Sequence, residues 1–132
     1  MELTAIGHVE STLRDRAGAP KQGHEGAPDA WLVFDERVAD GLKGLTAGDD
    51  VFVLTWLHLS SRDVLSVHPR DDPATPMRGV FSTRSAERPN PIGLHRVEIA
   101  EVNGLRVRVR DLEALDRTPI VDVKPVIDRD RR

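Results

Sequence analysis

Apolar residues gather in short runs along this chain, and their spacing is more often that of a strand than of a helix. Leu105 to Arg110 alternates strictly, with Leu105, Val107 and Val109 on one face and three arginines on the other. Asp50 to Leu59 (DVFVLTWLHL) is the most apolar stretch and predicts a central buried strand. Further strands are predicted at Leu3 to Val9, Ala30 to Asp35, Asp63 to His68, Gly79 to Thr83, Leu94 to Val102 and Ile120 to Val123. Val38 and Leu42 sit four apart, so Asp35 to Gly41 predicts one short helix, capped by Asp35 and ended by Gly41 or Gly44. Asn103-Gly104 predicts a type I′ hairpin turn, which needs positive φ at both residues.

Ser11 to Asp29 is rich in glycine, proline and charge and predicts a long loop. Pro69 to Pro76 holds three prolines and predicts another. Asp128 to Arg132 is fully charged and is expected to fray. Together these elements predict a mostly β fold: a small closed β-barrel with long Pro/Gly loops and one short helix, because closure removes exposed edges. No βαβ rhythm and no G-x-G-x-x-G follows a strand, which argues against a Rossmann fold.

Composition narrows the classes. The 132 residues suit one domain spanning 1–132. Tyrosine and cysteine are absent, so valine and leucine carry the core, and disulfides and thiolate metal sites are excluded. Five scattered histidines offer no ligand spacing, and no metal is expected. There is no apolar run long enough for a membrane helix and no secretory signal at the N-terminus, which fits a cytoplasmic protein. The net charge is −3, yet Arg78 to Arg110 holds seven arginines against three acids, so a local positive face is expected.

The segment GVFSTRSAERPNPIGL, Gly79 to Leu94, stands apart. Pro89 and Pro91 preset φ, and Gly93 permits a bend. Two guanidinium forks, Arg84 and Arg88, flank this stiffened turn and suit carboxylate or phosphate recognition. No G-x-S-x-G elbow and no Walker loop is present.

The segment GVFSTRSAERPNPIGLHRVEI resembles the signature of the TsaA-like family, the family of the TrmO methyltransferases. GAPKQG (Gly18 to Gly23) and LEALDRTPIVDVKPVI (Leu112 to Ile127) resemble two further family segments, so the likeness covers nearly the whole chain. The resemblance implies a β-barrel enzyme acting as a homodimer. Its cofactor would be S-adenosyl-L-methionine, and its reaction N6-methylation of threonylcarbamoyladenosine next to the tRNA anticodon. Carried over by motif position, it implies cofactor contacts at Gln22, Gly23, His58, Leu59, Arg84, Leu94, Leu115, Asp116, Arg117 and Thr118. Asp116 and His58 are the candidate bases, and Arg88, Asn90 and Lys124 are assigned to the methyl acceptor.

The chain departs from the family pattern at several points. Lys21 replaces an arginine, Ala86-Glu87 a Pro-His type of pair, and Val126 an aromatic residue. Arg117 stands where the family has glycine, so positive φ there would be strained. No counterpart of the extra C-terminal domain of larger bacterial members is expected from these 132 residues. A tRNA partner would be approached through Arg106, Arg108 and Arg110, with Arg14, Arg16 and Lys21. Two other functions fit the residues: methyl transfer to a small molecule, and a non-enzymatic barrel that binds nucleotide or RNA.

Overall fold

The computed structural model describes residues 1–15 and 26–131. It is mostly β, with eight strands: β1 (Gly7–Glu10), β2 (Ala30–Phe34), β3 (Asp50–Trp56), β4 (Ser66–Val67), β5 (Arg78–Gly79), β6 (Ile92–Asn103), β7 (Arg106–Val109) and β8 (Pro119–Pro125). Six of them form one antiparallel sheet in the order β1-β2-β7-β6-β3-β8. β8 pairs back to β1 through Gly7–Ile120 and His8–Pro119, so each of the six strands has two neighbours. β4 and β5 form a separate two-stranded ribbon.

The alternation in the sequence decides which side chains face inward. Val51, Val53 and Thr55 of β3 are buried, as are Gly93, His95, Val97 and Ile99 of β6. Val107 and Val109 join Val9, Leu32 and Phe34 in the same core, and Leu112 and Ala114 cover it from the segment after β7. Each fully buried valine or leucine contributes about 1.5–3 kcal/mol by leaving water. Gly7 is held without a side chain by packing, since a Cβ there would run into the backbone of Val33 and Phe34.

Several expected elements take a different form. Among the described residues there is no α-helix; the expected helix is a 3-10 segment, Glu36–Leu42. Valine, two acids and a glycine within seven residues give a weak helix former, and Asp35 makes no capping hydrogen bond. The strand expected at Gly79 to Thr83 ends after Gly79, where a 3-10 turn, Val80–Ser82, buries Val80. The hairpin after β6 turns on Gly104 and Leu105, because Asn103 pairs with Arg106 inside the ladder. Positive φ occurs at Gly104 and not at Leu105, which is the type II′ pattern rather than type I′. Asp128–Arg131 forms a 3-10 turn, with Asp130 bonded back to Ile127. No helix among the described residues is long and apolar enough to cross a membrane.

Candidate active site

The double-proline segment is fastened from two sides. Arg88 turns inward, and its guanidinium donates to the carbonyl oxygens of Val80 (2.9 Å), Ser85 (2.9 Å) and Thr83 (3.2 Å). Its fork therefore shapes the 80–88 backbone. Arg62 approaches from the other side, donating to Pro89 O at 2.8 Å and Asn90 Oδ1 at 3.1 Å. Its guanidinium also lies 5.1 Å from the centre of the Trp56 ring. Glu87 accepts from the backbone N–H of Ser61, tying the same two segments again.

Beside this bend lies a cleft of about 540 Å³. Its walls come from the segment after β3, the turn after β4, residues 82–88, the start of β6 and the 113–118 segment. Of the residues expected to hold a cofactor, His58, Leu59, Arg84, Leu94, Leu115 and Thr118 line it, and Arg88 does too. Arg84 and Arg88 thus divide the work. Arg88 is spent on backbone carbonyls, whereas Arg84 is exposed and has no hydrogen bond or ion pair among the described residues.

Other expected site residues lie elsewhere. Gln22 and Gly23 fall outside the described residues, as do Arg16 and Lys21. Asp116 is not among the cleft-lining residues: its Oδ1 accepts from Ser11 N at 3.0 Å, and its own N–H donates to Leu13 O at 2.7 Å. It pins the segment after β1 to the segment before β8. Arg117 follows with φ +71°, in the left-handed region that favours glycine, so the expected strain is present. Asn90 is engaged by Arg62, and Lys124 pairs with Asp122 at 3.1 Å outside the cleft.

The arginine face of β7 is neutralised. Arg106 pairs with Glu10 at 2.9 Å and lies over Trp31, and Arg108 pairs with Asp29 and Glu101. Arg110 reaches Glu98 at 3.3 Å. The hydrogen bond from Arg106 holds the Glu10 carboxyl below its ordinary range.

A buried polar chain at the cleft floor escaped the sequence reading. Thr55 Oγ1 lies 2.7 Å from His95 Nε2, and His95 Nδ1 lies 2.5 Å from Glu113 Oε1. Thr55 and His95 occupy inward positions otherwise filled by valine, isoleucine and glycine. Their inward register was the available signal, since a buried polar group demands a partner. Gly93 makes room for them, because a Cβ there would strike Thr55 Oγ1 and come within 2.6 Å of His95 Nε2.

Comparison with known proteins settles the family. Residues 8–130 match the family described as the tRNA-methyltransferase O (TrmO) N-terminal domain. The chain belongs to the TrmO family. A Methanothermobacter thermautotrophicus relative, described as a probable S-adenosyl-L-methionine-binding protein, is 41% identical over 95% of this chain and 89% of its own length. An Archaeoglobus fulgidus relative, described as an S-adenosyl-L-methionine-binding protein, is 46% identical over 94% and 88%. A crystal structure of TrmO from Pseudomonas aeruginosa matches with a TM-score of 0.77 at 26% identity, covering 98% of this chain. This chain spans 57% of that TrmO chain.

Proposed function

We propose that this TrmO-family chain is a cytoplasmic S-adenosyl-L-methionine-dependent methyltransferase whose six-stranded ring is a small closed barrel forming one domain. The acceptor is N6 of threonylcarbamoyladenosine next to the tRNA anticodon. The observation that carries the reading is Arg84: an exposed guanidinium without a protein partner among the described residues, in a cleft whose apolar lining includes Leu59, Ile92, Leu94 and Leu115. About 300–1,000 Å³ is the usual range for a small-molecule site, and this cleft lies within it.

The residues present fit the cofactor. Arg84 matches the carboxylate of its methionine moiety, and the apolar side chains cover the adenine. Thr118 and the backbone beside Leu115 supply polar contacts, and the family likeness adds Gln22 and Gly23 to the cofactor-binding set. When bound, S-adenosylmethionine supplies a methyl group on a positively charged sulfur. The protein's task is then to align the acceptor nitrogen, exclude water and receive a proton. Asp116 serves by fastening the two segments that border the site.

Arg78 on the cleft wall, rather than the paired arginines of β7, offers phosphate groups a cationic approach. Exposed Leu65, Met77 and Phe81, next to β4 and β5 in the chain, favour a homodimer with the cofactor close to the interface. Nucleoside mass spectrometry of tRNA from a deletion strain tests the acceptor. The methyl of N6-methyl-N6-threonylcarbamoyladenosine should be lost and return with the gene; its persistence would refute the tRNA assignment. A small-molecule acceptor is the second reading, favoured by the neutralised β7 face.

A further inference from the structure

The geometry points to Glu113 as the cleft's proton acceptor, with His95 and Thr55 as the positioning residues that hold it. This inference rests on the methyltransferase reading above. Among the described residues, three carboxylates line the cleft: Asp71, Glu87 and Glu113. Glu87 is committed to the backbone of Ser61. Asp71 sits in a tight turn with φ +58°, its N–H bonded to His68 O. Glu113 alone of the three is joined to a buried imidazole, at the floor where β3 and β6 open into the cleft.

His95 cannot itself meet a ligand. It is 5% exposed, and both ring nitrogens are occupied. A carboxylate only accepts, so Nδ1–H donates to Glu113, and Nε2 accepts from the Thr55 hydroxyl. The chain Thr55–His95–Glu113 therefore orients one carboxylate oxygen and leaves the other to the cleft. Fixing the imidazole by a partner at its far nitrogen is the arrangement by which proteins orient a catalytic base.

The step balances as follows. The acceptor nitrogen forms a bond to the methyl carbon while the carbon–sulfur bond breaks and its electron pair returns to sulfur, leaving a neutral thioether. The N–H proton passes to Glu113 and later to water. An amide-like nitrogen grows more acidic as it gains the methyl group, so a carboxylate suffices as the base.

The test combines cofactor titration, steady-state methyl transfer and nitrogen-15 NMR on the whole protein. The methyl donor is S-adenosylmethionine, and the acceptor is tRNA from the deletion strain. Glu113→Gln should keep cofactor affinity and KM within about threefold while kcat falls about 10²–10⁴-fold. Thr55→Val should lower kcat several-fold without moving KM, and Glu113→Asp should recover part of the loss. Wild-type His95 should show the Nδ1-protonated tautomer, a readout that needs no variant to fold. Full kcat in Glu113→Gln, loss of cofactor binding in it, or an Nε2-protonated His95 would overturn this inference and leave the methyltransferase reading standing. A wild type that neither binds nor turns over the cofactor would overturn both.

Discussion

Arg62 donates from Nε to the carbonyl oxygen of Pro89 at 2.8 Å while its guanidinium lies against Trp56, so the double-proline bend is bolted to the end of β3. Proline has no N–H, and two prolines in three residues leave the bend few ladder contacts of its own. A side chain from 27 positions away supplies the missing attachment. Replacing Arg62 by alanine should cost about 1–2 kcal/mol, the size of one charge-assisted hydrogen bond plus an exposed cation–π contact less solvent screening. Urea denaturation checks the stability. Cofactor titration should show weaker binding as well, because the bend carries Arg84.

Gly93→Ala tests the packing beneath the cleft. The added methyl would meet Thr55 Oγ1 and His95 Nε2, both on side chains already fixed by hydrogen bonds. Overpacking of this kind costs about 1–3 kcal/mol. Thermal unfolding should fall accordingly, and the His95 ring signals should shift. An unchanged imidazole spectrum would mean that the Thr55–His95 contact tolerates the insertion.

Arg117→Gly should stabilise the protein. Arg117 holds φ +71°, and a non-glycine residue in the left-handed region bears about 1–2 kcal/mol of strain, partly offset by the extra freedom glycine has when unfolded. A net gain of about 0.5–1 kcal/mol is expected from denaturant midpoints. Its side chain is largely exposed and only 3.9 Å from Asp116, so little ionic contact is lost.

Glu10 should titrate below an ordinary glutamate, whose value is 4.5, because Arg106 donates to its charged form. The contribution this pair makes to stability is present above that ordinary value and fades as pH falls through the depressed one. Carboxyl carbon-13 titration should place Glu10 low in the wild type and return it toward 4.5 in Arg106→Gln. Pairing of this kind leaves the β7 arginines little uncompensated charge.

Strand identities were largely legible because period-two burial is written into the residues themselves. Val51, Val53 and Thr55 alternate as the sequence demands, and so do Val107 and Val109. The ends of elements were not. Gly79 to Thr83 looks extended, but Val80 is drawn into the interior as a 3-10 turn, and Arg88 adds a further donor to its carbonyl. The cleft was half legible. Motif position brought together Arg84, Leu94, Leu115 and Thr118, yet it assigned Arg88 to the methyl acceptor, whereas its guanidinium holds the 80–88 backbone. That difference depends on where three backbone carbonyls point. Thr55, His95 and Glu113 are 18 to 40 positions apart along the pairs that join them, so only the register of β3 against β6 reveals them as a unit.

Calorimetric titration of S-adenosylmethionine into the wild type, Arg84→Ala and Arg88→Ala separates the ligand-binding arginine from the one that holds the backbone. Arg84→Ala should bind at least about tenfold more weakly, the cost of one charge-assisted contact, at an unchanged melting temperature. Arg88→Ala should lose stability first, since three buried-side carbonyl bonds go with it. Wild-type affinity in Arg84→Ala would contradict the account.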